Sequence, residues 1–325
     1  MEFKRDVPSI YDLAVPITTQ LPDESPDIIS GLIPKDDLVV IVGPTNIGKT
    51  LLALEICSAL VTGNTLWGSL KPEVKARKIL YVLGEHRTRK LLDLSRKTRL
   101  ELNEDILVLG PEKLGMNKYL ISGGRQNVDN INMFRKWSEG MDFIVFDPLA
   151  SFIVGVDSEN DNSVMRLLIE TVNSISMTSG ASCLLLGHMG KPSVDYVSGR
   201  EFHRASYALR GASGSEDAAT NIFYLQQSES NAKQGDGKLY DLIQRKYKGD
   251  APERYRLLRD PDTLTHTLLG NRGAYQDVQK AQLLSKIHRL QIAQPQMEYR
   301  TCIKLISAAE GLSEETVKRQ IGLVS

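Results

Sequence analysis

Leu38-Val39-Val40-Ile41-Val42-Gly43-Pro44-Thr45-Asn46-Ile47-Gly48-Lys49-Thr50-Leu51 decides the reading of this chain. Its first five residues are an unbroken apolar run, as expected of a parallel strand buried on both faces. The next eight match G-x-x-x-x-G-K-[ST], and a helical pattern opens at Lys49 and runs to about Leu60. Strand, glycine-rich turn and helix in that order are the setting in which the motif cradles phosphate. Glycine lets the backbone curl so that successive N–H groups face an anion, and the helix N-terminus adds partial positive charge. The motif therefore predicts bound ATP, held by Gly43, Pro44, Thr45, Asn46, Ile47, Gly48, Lys49, Thr50 and Leu51. Lys49 is placed to reach the β- and γ-phosphates and the Thr50 hydroxyl to bind Mg²⁺.

Outward from this stretch the chain alternates. Segments 79–83, 106–109, 143–146 and 183–186 read as strands. Segments 87–102, 128–138 and 163–177 read as helices, the last with Val164, Leu167, Leu168, Val172 and Ile175 on one stripe. A βαβ series of this kind predicts an α/β fold with a parallel sheet flanked by helices. Asp147 ends the strand 143–146, at the edge where parallel sheets bind ligands, and is the second candidate for the Mg²⁺ shell. Beyond residue 217 the pattern turns to short strands at 221–226, 239–246, 254–258 and 263–268, an antiparallel extension of the sheet. Residues 276–325 read as a small helical domain, helices 278–293 and 299–309 being followed by Gly311-Leu312-Ser313. Ser313 is placed to cap a last helix carrying Lys318 and Arg319, a spacing that fits helix-turn-helix or winged-helix geometry. The expected division is an arm at 1–34, the main domain at 35–272 and the helical domain at 276–325.

Composition limits the partners. The chain has 325 residues with Lys plus Arg equal to Asp plus Glu, 40 of each, so any nucleic-acid surface must be local. Cys57, Cys183 and Cys302 lack metal-site spacing, and their odd number suits a reducing compartment. No apolar run reaches the roughly 18 residues a membrane helix requires. Met1 to Ser9 is charged, unlike a signal peptide, so a cytoplasmic protein without a membrane partner is expected.

Four further stretches stand in order: Gly84-Glu85-His86 after the second strand, Leu186-Gly187-His188 at the end of the strand 183–186, Ala208-Leu209-Arg210-Gly211-Ala212-Ser213-Gly214-Ser215-Glu216-Asp217-Ala218, and Arg245-Lys246-Tyr247-Lys248-Gly249. With the phosphate loop they resemble RecA-like hexameric ATPases over about residues 30–270. The likeness is to RepA-type plasmid and phage replicative helicases, and more distantly to bacterial replicative helicases and RadA-type recombination ATPases. That resemblance implies a RecA-like fold. It makes Glu85 the general base that activates water and His188 the sensor of the γ-phosphate. It also makes Lys246 and Lys248 the cations reaching a neighbouring subunit's ATP. The family's second cation is typically arginine, and lysine lacks its bidentate fork.

The resemblance further implies a hexameric ring acting on single-stranded DNA, with a replication protein as a possible partner class. The loop 190–211 would contact the strand through Lys191, Arg200, Arg204 and Arg210, with Tyr196, Phe202 and Tyr207 interleaved; cations follow phosphates while aromatics stack on bases. A recombination or loader ATPase that binds DNA without unwinding it, and a regulatory P-loop ATPase, remain alternatives.

Overall fold

The computed structural model describes residues 27–98, 100–156, 162–188, 193–194, 201–202, 218–228, 237–247, 254–269, 274–294, 296–310 and 313–321. Lys191, Arg200, Arg204, Arg210, Lys248 and residues 1–26 of the expected arm lie outside them.

The strands are β1 (Leu38–Gly43), β2 (Ile79–Leu83), β3 (Ile106–Leu109), β4 (Ile121–Ser122), β5 (Arg125–Gln126), β6 (Phe143–Asp147), β7 (Ile153–Val154), β8 (Ser182–His188), β9 (Ser193–Val194), β10 (Glu201–Phe202), β11 (Asn221–Gln227), β12 (Lys238–Lys246), β13 (Arg254–Arg259) and β14 (His266–Leu269). The helices are α1 (Lys49–Thr62), α2 (Thr88–Thr98), α3 (Pro111–Leu114), α4 (Val128–Ser138), α5 (Asn162–Ser179), α6 (Ala274–Ala293), α7 (Tyr299–Glu310) and α8 (Glu314–Gln320).

Nine strands form one sheet in the order β14-β13-β12-β11-β1-β8-β6-β2-β3. β1 lies at its centre, pairing in parallel with β8 and β11, and every residue of β1 is buried. This explains the apolar run, since a central parallel strand has no face left for water. The parallel part continues through β6, β2 and β3. The fold is thus the expected α/β, RecA-like parallel sheet with helices on both faces.

Three sequence expectations change in detail. The segment 221–226 belongs to the parallel part, because β11 runs with β1; the antiparallel extension starts at β12. The helix expected at 87–102 stops at Thr98, and a turn follows in which the Asn103 side chain accepts the Asp105 N–H at 3.0 Å. The last strand of the extension begins at His266 rather than 263. Asp260 Oδ1 accepts the N–H groups of Asp262 and Thr263 at 2.8 and 2.9 Å, which holds 260–265 as a turn.

Two apolar layers sandwich the sheet. One gathers α1 with Ile29, Leu32 and Ile33 ahead of β1, so the end of the expected arm belongs to the core. The other gathers α4 and α5, including the stripe Val164, Leu168, Val172 and Ile175. The C-terminal helices close over their own cluster of Leu283, Ile287, Ile303, Ile306 and Val317, and Ser313 Oγ accepts the Thr316 N–H at 3.1 Å as the expected cap. Among the described residues, no helix is long and apolar enough to cross a membrane.

α1 is buried along almost its whole length, including the carboxylate of Glu55. Glu55 accepts the His266 backbone N–H at 2.6 Å and the Trp67 indole N–H at 3.1 Å, and lies 2.8 Å from His266 Nδ1. A buried carboxylate persists only when its lone pairs are used in this way. Glu55→Ala leaves those donors without an acceptor and is expected to cost about 3 kcal/mol of stability, read as a lower denaturant midpoint. An unchanged midpoint would contradict the network.

Candidate nucleotide-binding site

The site grows from the carboxyl ends of β1, β2, β6 and β8, which the register sets side by side: Gly43 pairs with His188, and Leu83 with Asp147. After β1 the chain must turn sharply to enter α1. A Cβ on Gly43 would stand 2.6 Å from the Leu225 carbonyl oxygen, so close passage beside β11 requires glycine here. Gly48 has φ of 114°, a left-handed conformation that admits the turn into Lys49.

Lys49 is 6% exposed, and its Nζ donates to the carbonyls of Gly43 and Pro44, at 2.8 Å each. It lies 3.4 Å from His188 Nδ1. Burial pushes the Lys49 ammonium down to about 8, although the carboxylates of Asp147 and Glu85 oppose the shift. Asp147 is also moved toward its neutral form, with burial the larger cause and the hydrogen bonds of Thr50 and Tyr81 opposing it. Both partners of one attractive pair are thus shifted toward neutrality, because desolvation outweighs their mutual attraction. An arriving polyanion reverses the balance for the lysine, and a cation does so for the aspartate.

Thr50 Oγ1 donates to Asp147 Oδ2 at 2.8 Å, and Tyr81 OH donates to the same oxygen at 2.9 Å. Asp147 Oδ1 accepts no hydrogen bond among the described residues. A hydroxyl and a carboxylate oxygen, one of them with spare lone pairs, fit a small hard cation such as Mg²⁺. Glu85 follows β2 on the exposed rim, its Oε1 accepting from Ser151 Oγ at 3.0 Å. The Gly84 N–H donates to the Asp147 carbonyl at 2.8 Å, and Lys118 Nζ to the Gly84 carbonyl at 2.7 Å, which ties the start of this segment to the site.

The sequence matches the AAA domain family over residues 15–194, more than half of the chain. The chain belongs to that family. With the sheet order, this makes it a RecA-like P-loop ATPase. Among solved structures, the AAA domain chain is similar to a KaiC-like protein from the hyperthermophilic archaeon Pyrococcus horikoshii OT3, with 16% identity, a TM-score of 0.49 and coverage of 78% of this chain and 99% of that one. It is similar also to the flagellar accessory protein FlaH from Methanocaldococcus jannaschii, with 14% identity, a TM-score of 0.45 and coverage of 73% and 90%. No curated protein matches the sequence.

The structure of this AAA domain chain brings Lys49, Thr50, Asp147, Glu85 and His188 to one edge of the sheet. It does not bring Lys246 there. Lys246 pairs with Ile222, and β12 runs antiparallel to β11, so its exposed end leads toward the opposite edge of the sheet. Tyr247 next to it donates to Asp27, ahead of β1, at 2.8 Å. The loop expected to carry Lys191, Arg200, Arg204 and Arg210 contains an antiparallel pair, β9 with β10, and those four cations fall outside the described residues.

Sequence reasoning missed Tyr81, which reads as one more apolar residue of a buried strand. It also missed Ser151 and Arg259. Arg259 Nη1 donates to the Ile47 carbonyl at 3.3 Å across 212 positions, and no local pattern announces such a contact.

Proposed function

We propose that this AAA domain chain is a Mg²⁺-dependent ATPase working as a ring on single-stranded nucleic acid, in the manner of RepA-type replicative helicases. One observation carries the reading. The buried Lys49, the bonded pair Thr50–Asp147, the rim carboxylate Glu85 and His188 converge on the mouth of one phosphate nest. Lys49 and the N–H groups of 43–50 hold the triphosphate. Thr50 and Asp147 hold Mg²⁺, which supplies charge neutralisation on the phosphate oxygens. Glu85, solvent-facing and hydrogen-bonded to Ser151, receives the proton of the attacking water. His188 shares a hydrogen-bond distance with Lys49 and is suited to sense the γ-phosphate.

The course of β12 supports a cation acting in trans, since the end carrying Lys246 leads away from its own nest. Lys246 and Lys248 would then complete the site of the next subunit. In mixed assemblies, Lys248→Ala subunits combined with Lys49→Ala subunits are expected to regain part of the turnover that each lacks alone. In-trans cations contribute about 10³-fold or more in comparable systems. Mixtures no more active than the sum of the two variants would contradict the trans assignment.

The nucleic-acid reading is supported by the four cations and three aromatics between Lys191 and Arg210, and by Lys318 on α8. Steady-state ATPase with and without single-stranded DNA, beside the native mass, tests it. Stimulation of several-fold and a hexameric mass are expected. A DNA-indifferent ATPase would instead favour a regulatory ATPase, a second reading supported by the equal count of 40 acidic and 40 basic residues.

A further inference from the structure

Arg259, the last residue of β13, lies against the outside of the phosphate loop. Its Nη1 donates to the Ile47 carbonyl at 3.3 Å and would stand 3.0 Å from a Cβ on Gly48. Its guanidinium also covers the ring of Tyr240 at 4.4 Å. In a phosphate nest the N–H groups turn inward and the carbonyls outward. The Ile47 carbonyl is therefore an external point of attachment on the turn that aims Gly48 and Lys49.

The turn 260–265 after Arg259 is fastened on its other flank as well. There His266 binds Glu55 of α1, through its N–H at 2.6 Å and Nδ1 at 2.8 Å. Between these two fastenings the turn grips α6. Arg289 donates to Asp260 Oδ2 from Nη2 at 2.8 Å and from Nε at 3.2 Å, and its Nη1 lies 3.1 Å from Asp262 Oδ2. Asp260 is rigid in this role because its other oxygen accepts two N–H groups of the turn. Beside the bridge lies a cleft of about 540 Å³ lined by Ser58 of α1, Trp67, Thr265, and Ile287 and His288 of α6.

We propose that Arg259 is a positioning residue for the phosphate loop, and that the Arg289 bridge makes the C-terminal helices its regulator. This rests on the reading of 43–50 as the ATP site. Closure of the loop on phosphate fixes the Ile47 carbonyl, which fixes Arg259 and with it the turn that holds α6. The coupling is reciprocal: seating of α6 on the turn tightens nucleotide binding, and bound nucleotide seats α6.

The test uses the full chain with a fluorescent ATP analogue and Mg²⁺. It compares the wild type, Arg259→Gln, Arg289→Gln and the double variant, each checked by circular dichroism. Arg259→Gln is expected to raise Kd and KM about tenfold, the scale of one charge-assisted hydrogen bond, with kcat within about twofold of wild type. Arg259→Lys keeps the charge without the fork and recovers part of that loss. Arg289→Gln is expected to raise Kd about threefold alone and not at all in the Arg259→Gln background, as two members of one chain of contacts must. Hydrogen exchange of α6 is expected to slow on nucleotide addition in wild type but not in either single variant. Wild-type affinity in Arg259→Gln, independent effects of the two substitutions, or α6 exchange indifferent to nucleotide would each overturn the proposal. If Arg259→Gln does not fold, Arg289→Gln and the exchange comparison decide. Failure of the ATP reading itself is distinct, since wild type would then not bind the analogue.

Discussion

Lys49→Ala is expected to reduce ATP turnover by about 10³-fold or more and to weaken nucleotide binding. Lys49 is the buried cation at the centre of the nest, 6% exposed and held by the carbonyls of Gly43 and Pro44. Those two carbonyls are weak partners for an ammonium, and burial has already shifted it toward neutrality. A triphosphate is a far better partner, so the lysine is poised to exchange its carbonyls for phosphate oxygens. Charge spreads over those oxygens as the γ-phosphoryl leaves, and a fixed donor aimed at developing charge contributes about 10²–10³-fold in dry sites. Loss of ground-state attraction adds to this. Alanine removes the ammonium but keeps the helix, which begins at this residue, so the variant should fold. Turnover is read from phosphate release and binding from a fluorescent analogue. Turnover within tenfold of wild type would show that the phosphates lie elsewhere.

Glu85→Gln is expected to separate binding from cleavage. Among the described residues Glu85 accepts its hydrogen bond from Ser151 and none from the P-loop, so glutamine keeps the hydrogen bonds of the phosphate nest and removes only a charge that acts on Lys49. Glutamine keeps the size and the acceptor oxygen but cannot take a proton from water. General base catalysis contributes about 10²–10⁴-fold, and turnover should fall by that factor while the nucleotide Kd stays within about twofold. Such a variant should trap ATP unhydrolysed. Normal turnover would remove Glu85 from the chemistry. An equal fall of binding and turnover would make it a binding residue.

The parts of the fold legible in the sequence are those where one element suffices to explain its residues. β1 is apolar throughout because it is central, and the helix stripe from Val164 to Ile175 faces one layer. The P-loop was legible because curling the backbone needs glycine at fixed offsets. Asp147 was legible as a carboxylate ending an apolar strand at the edge where parallel sheets bind ligands, whereas His188 was singled out by the family resemblance.

What could not be read were contacts between distant segments. Sequence gives no sign that Tyr81 turns its hydroxyl to Asp147, because tyrosine satisfies the strand pattern equally well as plain core. Arg259 alternates like any residue of an edge-side strand, and its partner Ile47 is fixed only by how the antiparallel extension folds back over the loop. The start of the extension was misplaced for a related reason. A strand's direction depends on the connection that leads into it, and the segment 190–217 before β11 carries no pattern that sets it.

The most direct measurement is a crystal structure of the full chain grown with Mn²⁺ in place of Mg²⁺ and a non-hydrolysable ATP analogue, with anomalous scattering locating the metal. The expected result places the β-phosphate among the N–H groups of 43–50, Lys49 Nζ turned from the Gly43 and Pro44 carbonyls onto phosphate oxygens, and the metal beside Thr50 and Asp147. Nucleotide bound at another surface, with Lys49 still held by those carbonyls, would contradict the account.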